Sequence, residues 1–389
     1  MGRALRGCPA ESHIRFGPPV VRPALGIRPL PQSGSVHPVV QPRRTRSGLS
    51  ARVYLSPEAD DHAVLSDPGH SVVVLADLLR RSGAGPLADA LACPRCLGPL
   101  RQEGASLTCP ADGLTFARQA GVYDLIDPAR QEALAPFIAH YTAVRRAEGW
   151  GAEDPEYYAA LPFQDLTGRF PDIWRIRAQS FRCLKALLKG LQRPDGDPPR
   201  VLDLGAGNAW LSFRLAKMGF SVCAVDLSAD EADGLGAATH YLLPFFRVLA
   251  EFERLPFLSG TFDAAVFSAS LHYAPDAGAA LRSALRVLVP GGRIYVSDSP
   301  IYRSAQSGEQ MVQEMRDRLV RELRLETWVQ PGPGYLTFGQ IAAWSGELGL
   351  HVHLHRPRYG LRWRLRPLLA RLRRDREPAT FRVVEVMKT

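Results

Sequence analysis

From residue 200 onward, short apolar runs alternate with stretches of helical spacing. The runs cover 201–204, 221–225, 245–250, 262–267, 293–296 and 350–355. Apolar runs of this length, separated by helical patterns, predict a parallel sheet with crossover helices. A helix is predicted over 210–218, directly after the first run. Upstream, 132–191 reads as helical and aromatic-rich, and ends in Arg-Pro-Asp-Gly-Asp-Pro-Pro. Leu75, Leu78 and Leu79 have helical spacing, while residues 1–50 show neither period. The pattern therefore divides the chain into a tail (1–70), a helix with a cysteine-bearing module (71–127), a helical linker and cap (128–199), and an α/β domain (200–389).

Composition changes this picture in two places. The first 50 residues hold eight prolines and six glycines, the range of disordered segments. They also carry eight arginines against Glu11 alone, and the run from Arg356 to Arg376 carries nine against Asp375. These two segments account for more than the whole formal net charge of +9, so the remainder is acidic. Only four of the 48 basic residues are lysine, a bias that weakens a high pI as evidence for nucleic acid. No apolar stretch reaches the ~18 residues of a membrane span, and no export signal is visible. Six cysteines without such a signal imply a reducing, cytoplasmic setting, in which clustered thiols point to metal before disulfide.

The most informative stretch is Val201-Leu-Asp-Leu-Gly-Ala-Gly-Asn-Ala-Trp210, a strand, a glycine turn and a helix start. Gly205 and Gly207 remove Cβ atoms where the backbone turns tightly against a ligand. A dinucleotide fingerprint needs a third glycine where Trp210 stands, which disfavours pyrophosphate. Asp226 ends the next strand, placed to accept from a ribose diol, and Asp203 adds a second carboxylate beside the turn. Two acids around a glycine turn suit a cationic nucleoside, a description that S-adenosylmethionine meets.

Here the sequence resembles the class I S-adenosylmethionine-dependent methyltransferases, particularly the type 11 family that includes quinone-biosynthesis enzymes. The likeness spans about 200–389 and rests on VLDLGAG, AVDLS, AEFERLPF, GTFDAAVFSASLHY and LRVLVPGGRIYV, in order. It implies a Rossmann-like, doubly wound, seven-stranded sheet with an antiparallel last strand, which 381–387 fits. It also implies that Gly205, Ala206 and Gly207 lie under the methionine moiety, with Asp203 near its ammonium. Asp226 and Leu227 would meet the ribose, and Glu251 and Phe252 the adenine. Glu and Phe stand there in place of the family's usual Asp-Ala. Ser268 and Ala269, ending the fourth strand, would face the transferring methyl.

Methyl transfer from a sulfonium needs alignment above all, and a base only if the acceptor must lose a proton. His272, just after the fourth strand, is the candidate base; the alternative is a polar residue lining the pocket or hydrogen-bonded under a loop. The stretch 132–191, the connection 297–340 and the segment 357–379 are expected over the acceptor. In the last of these, Leu361, Trp363 and Leu365 alternate with arginines, and Pro367 opens a short helix carrying Leu368, Leu369 and Leu372 on one face. That run admits a solvated face over a local core, an anionic membrane surface, or RNA phosphates.

Cys93-x-x-Cys96 and, after a 12-residue spacer, Cys109-x-x-Asp112 form paired knuckles that suit a tetrahedral zinc. The segment resembles the zinc ribbon beside some methyltransferases, with Asp112 where that pattern has cysteine. The expected function is methyl transfer to a small, partly apolar metabolite. An RNA base is the alternative acceptor, and a non-catalytic scaffold on the same fold is the third reading.

Overall fold

The structure is a computed structural model that describes residues 87–104, 106–324 and 328–388. The tail expected at 1–70 and the helix expected near residue 75 lie outside these residues.

Three short strands, β1 (Arg101–Glu103), β2 (Ser106–Thr108) and β3 (Thr115–Phe116), form a small antiparallel sheet around the cysteine module. The next two strands, β4 (Arg118–Gln119) and β5 (Val122–Asp124), leave that module for a larger sheet. Asp127 then caps helix α1 (Pro128–Glu148) by accepting from the Ala129 amide, with Pro128 pre-set for the first turn. Gly149 ends α1 in the left-handed region at φ 81°, which glycine adopts without Cβ strain. Helices α2 (Pro155–Ala160) and α3 (Pro171–Leu188) follow. Trp174 and Phe181 of α3 meet Trp210 edge-on, at ring separations of 6.0 and 5.9 Å. Burying such side chains stabilises the fold by about 1.5–3 kcal/mol each.

The α/β part begins with β6 (Arg200–Leu204), α4 (Trp210–Lys217), β7 (Ser221–Asp226), β8 (Phe246–Leu249) and β9 (Phe262–Ser268). It continues through α5 (Ala277–Val287), β10 (Leu288–Ser297), β11 (Ile301–Tyr302), α6 (Ala305–Leu323), β12 (Leu336–Thr337) and α7 (Phe338–Glu347). Strand β13 (Leu350–His355), helices α8 (Leu361–Arg364) and α9 (Arg366–Arg373), and strand β14 (Val383–Lys388) complete it. Strands β6, β7 and β9 are near-continuous buried runs, as strands covered on both faces of a parallel sheet are.

The large sheet has the order β13-β14-β10-β9-β6-β7-β8-β5-β4. Seven of these strands are the predicted set, and β14 runs antiparallel to both its neighbours as expected. The expected count of seven is corrected to nine, because β5 adds in parallel to the edge at β8, and β4 pairs antiparallel to β5. Tyr123 of β5 stacks on Phe246 of β8 at 5.1 Å, so the added edge strand is also packed. Strand order reverses at β6, which opens a crevice beyond the carboxyl ends of β6 and β9. The alternating stretch 361–365 is helical, with Trp363 buried and Leu361 and Leu365 exposed. No helix among the described residues is long and apolar enough to cross a membrane.

Candidate functional site

The crevice holds a cavity of about 540 Å³. Its floor is the glycine turn after β6. Gly205 has φ +73°, and a Cβ there would lie 2.3 Å from the Ser270 Cβ and 3.1 Å from the Phe252 ring. The turn therefore requires glycine on both conformational and steric grounds. Gly207 donates its amide to Asp226 Oδ2 at 2.8 Å, while the amides of Leu227 and Ser228 reach Oδ1 at 2.8 and 2.9 Å. Three amides thus fix the carboxylate at the end of β7. Burial raises its pKa, and those hydrogen bonds offset part of the rise.

Asp203 lies within β6, fully buried. Its Oδ2 accepts from Ser212 at 2.7 Å, and its Oδ1 makes no hydrogen bond among the described residues. Burial pushes its pKa up to about 7, and Asp226 adds to that rise. The desolvated Asp226 carboxylate and the Cβ-free turn, with Asp203 buried behind them, form an acceptor set suited to a ligand that carries hydroxyls and positive charge. S-adenosylmethionine fits these residues.

Gly205, Gly207, Asp226, Leu227, Glu251, Phe252 and Ala269 are all on the cavity wall. Asp203, Ala206, Ser268 and His272 stand off it. Ser268 donates weakly to Asp298 Oδ2 at 3.5 Å, and Ala269 holds a left-handed φ of 56° at the end of β9. His272 is buried, with Nδ1 3.1 Å from Ser299 Oγ. Burial and the charge of Arg177 push its pKa down to about 3, so the ring is neutral.

The stretch expected over the acceptor does lie at the cavity, but sequence reasoning missed the ion pairs that hold it. Helix α1 lies across the cavity, contributing Leu134, Phe137, Ile138 and Tyr141 to the wall. Three arginines of α1 hold it there. Arg130 grips Glu251, Arg145 pairs with Asp233 over the Trp150 ring, and Arg146 pairs with Asp230. The carboxylates come from the loops after β7 and β8, so the cap is tied to the same loops that carry the site. Asp298, after β10, is a second missed residue; it is buried, has φ 56°, and accepts from Ser180 at 2.5 Å. No local motif marks either set, because each pairing joins residues far apart in the chain.

The cysteine module brings Cys93, Cys96, Cys109 and Asp112 together, their candidate ligand atoms all within 4.8 Å of one another. The amides of Arg95 and Asp112 point at the Cys93 and Cys109 sulfurs, at 3.4 and 3.3 Å. Asp112 Oδ2 lies 3.2 Å from Cys93 Sγ and 3.4 Å from Cys109 Sγ. The module is also tied to α1, since Arg95 forms an ion pair with the capping Asp127 at 2.7 Å.

Residues 202–296 match a family described as a methyltransferase domain. The chain is 34% identical to a demethylmenaquinone methyltransferase of Mycobacterium marinum, over 43% of its own length and 71% of the relative's. It is 28% identical to a ubiquinone biosynthesis O-methyltransferase of Pseudomonas aeruginosa, over 39% of this chain and 65% of that one. A solved S-adenosylmethionine-dependent methyltransferase of Mesorhizobium loti shows 20% identity and a TM-score of 0.38, over 54% of this chain and 98% of its own. That likeness is too distant to carry weight beside the sheet order and the glycine turn. By its match to the methyltransferase domain and its identity to the mycobacterial relative, the chain belongs to the class I S-adenosylmethionine-dependent methyltransferases.

Proposed function

We propose that this methyltransferase acts on a small, partly apolar acceptor of the phenol or quinone-precursor kind. The observation that carries the reading is the apolar part of the cavity lining, which includes Phe137, Ile138, Tyr141, Tyr273, Val329 and Pro331. Such a lining suits an aromatic or prenylated molecule held by apolar contact. The names of the two relatives, demethylmenaquinone methyltransferase and ubiquinone biosynthesis O-methyltransferase, support the same class.

In this reading Gly205, Ala206 and Gly207 run under the methionine portion of the cofactor, and Asp203 balances its ammonium. Asp226 and Leu227 take the ribose hydroxyls, Glu251 and Phe252 flank the adenine, and Ser268 and Ala269 border the methyl. When bound, S-adenosylmethionine supplies an already activated methyl group. The protein then has to align the acceptor, an effect worth up to ~7–11 kcal/mol in favourable cases, and to exclude water. The α1 cap, clamped by Arg130, Arg145 and Arg146, serves both purposes. For an acceptor that loses a proton, His272, just after β9 and neutral, is the proposed base, although burial that lowers its proton affinity works against the role.

Zinc belongs to the same proposal, held by Cys93, Cys96, Cys109 and Asp112 in tetrahedral fashion. The amide-to-sulfur contacts in the module support it, since they hold the sulfurs in place for a metal. The four-part division of the chain, with 128–199 as cap, and a cytoplasmic setting complete the reading.

The test uses purified protein, methyl-labelled S-adenosylmethionine and extract of the source cells. Label is expected in the organic-soluble fraction. Label confined to RNA would overturn the acceptor class and favour a nucleic-acid base.

A further inference from the structure

Between β13 and β14 the chain leaves the large sheet at His355 and rejoins it at Val383. Because β13 runs parallel to β10, this excursion lies on the carboxyl edge, where the glycine turn, Asp226 and Ser268 also lie. It contains α8 and α9, joined through the helical Leu365. Leu361, Leu365, Leu368, Leu369 and Leu372 follow helical spacing and share one face. All five are exposed, at 39 to 71%. The opposite face is anchored: Trp363, Arg366 and Ala370 are buried, and Trp363 packs on Tyr359 and Phe381. Single exposed leucines are ordinary, but five on one helical face form an interaction surface. Around them stand Arg362, Arg364, Arg371, Arg373 and Arg374, all exposed, with no ion pair among the described residues. No acid occurs between 356 and 374.

We propose that this face docks on an anionic lipid surface, the leucines entering the acyl boundary and the arginines meeting headgroup phosphates. A helical segment with leucines on one side and arginines around them suits the plane of a bilayer interface, and guanidinium forks match phosphate oxygens. Other occupants fit less well. A second copy docked face to face would set five arginines against five. The first 50 residues of this chain are themselves strongly basic, with eight arginines against one glutamate, so they repel the same rim. RNA would engage the arginines and leave the leucines in water.

The surface is connected to the acceptor side of the fold. Tyr359, at the root of the excursion, is 2.8 Å from Ser180 Oγ, which donates to Asp298 at the end of β10. Docking would therefore set the carboxyl edge, with its cavity, against the bilayer. The inference does not depend on the acceptor class, since a water-soluble acceptor would leave the docking surface intact.

The full chain is sedimented with vesicles of phosphatidylcholine containing phosphatidylglycerol, and with vesicles of phosphatidylcholine alone. Binding to the mixed vesicles is expected to be about tenfold stronger or more. The Leu368→Gln/Leu372→Gln variant should lose on the order of tenfold in that binding, with S-adenosylmethionine affinity and melting temperature unchanged. Arg371→Gln/Arg373→Gln should remove the preference for the anionic vesicles. Equal binding to both vesicles, no binding to either, or a leucine variant that binds like the parent would overturn the proposal. Leucine-dependent dimerisation in place of vesicle binding would overturn it too.

Discussion

Arg130 on the cap helix and Glu251 on the loop after β8, 121 residues apart, meet in a forked ion pair, with Arg130 Nη2 2.8 Å from Glu251 Oε1. Both line the cavity, so one contact joins the cap to the wall on which the cofactor's adenine is proposed to rest. The carboxylate is buried while the guanidinium remains nearly half exposed.

Removing the arginine leaves Glu251 desolvated without its cation, a larger change than loss of a surface pair. Arg130→Ala is expected to weaken S-adenosylmethionine binding about fivefold by calorimetry, on the order of 1 kcal/mol after discounting for solvent. Amides of α1 should exchange faster in the variant. Unchanged affinity and unchanged exchange would separate the pair from cap closure.

Gly205→Ala places a methyl against Ser270 and Phe252 in a left-handed backbone. A destabilisation of about 2 kcal/mol is expected from strain and overlap together. Cofactor binding should fall below detection while the circular-dichroism spectrum stays native. An alanine variant that binds normally would show that the turn is not the ligand floor.

His272 has a pH signature with a defined sign. Its folded-state pKa, about 3, lies below the ordinary value of 6.5, so the unfolded chain binds the proton more readily. Its contribution is fully present above about pH 6.5 and is lost as the pH falls towards 3. At pH 4 the loss amounts to about 3 kcal/mol. Denaturant titrations of the parent and of His272→Asn at pH 8 and pH 4 should therefore show a flatter acid limb in the variant. If His272 is also the base, turnover falls by about 10²-fold or more at pH 8 with little change in cofactor affinity.

The metal module is checked by composition. Metal-replete protein is expected to carry one zinc, and a chelator should lower its melting temperature. Asp112→Ala should weaken retention by about tenfold or more, whereas Asp112→Cys should strengthen it, because a thiolate is the softer ligand. Protein purified with zinc that carries none would remove the site.

Much of the α/β part was legible because its signals are local. The strand at 350–355 matches the observed Leu350–His355, and the glycine turn and Asp226 fall at the ends of buried runs, where backbone geometry dictates residue type. The match of the antiparallel β14 came through family resemblance, since periodicity does not carry strand direction.

The run from Leu361 to Arg366 shows where local signals fail. Six residues of strict alternation fit a strand, yet Trp363 finds its pocket against Tyr359 and Phe381 only as part of a helix. Burial of that one ring leaves the leucines outward, which no reading of the alternation could decide.

By itself, the sequence determined the main strands of the α/β part, the glycine turn after the first of them and the spacing of the four metal-suited side chains. These depend on neighbours within a few residues, where sterics and spacing leave few choices. Only the tertiary structure decided that β4 and β5 lengthen the sheet, that Arg130, Arg145 and Arg146 clamp a cap over the cavity, and that Ser180 and Asp298 meet. Those contacts join distant segments, and their partners are chosen by the packing of the whole chain.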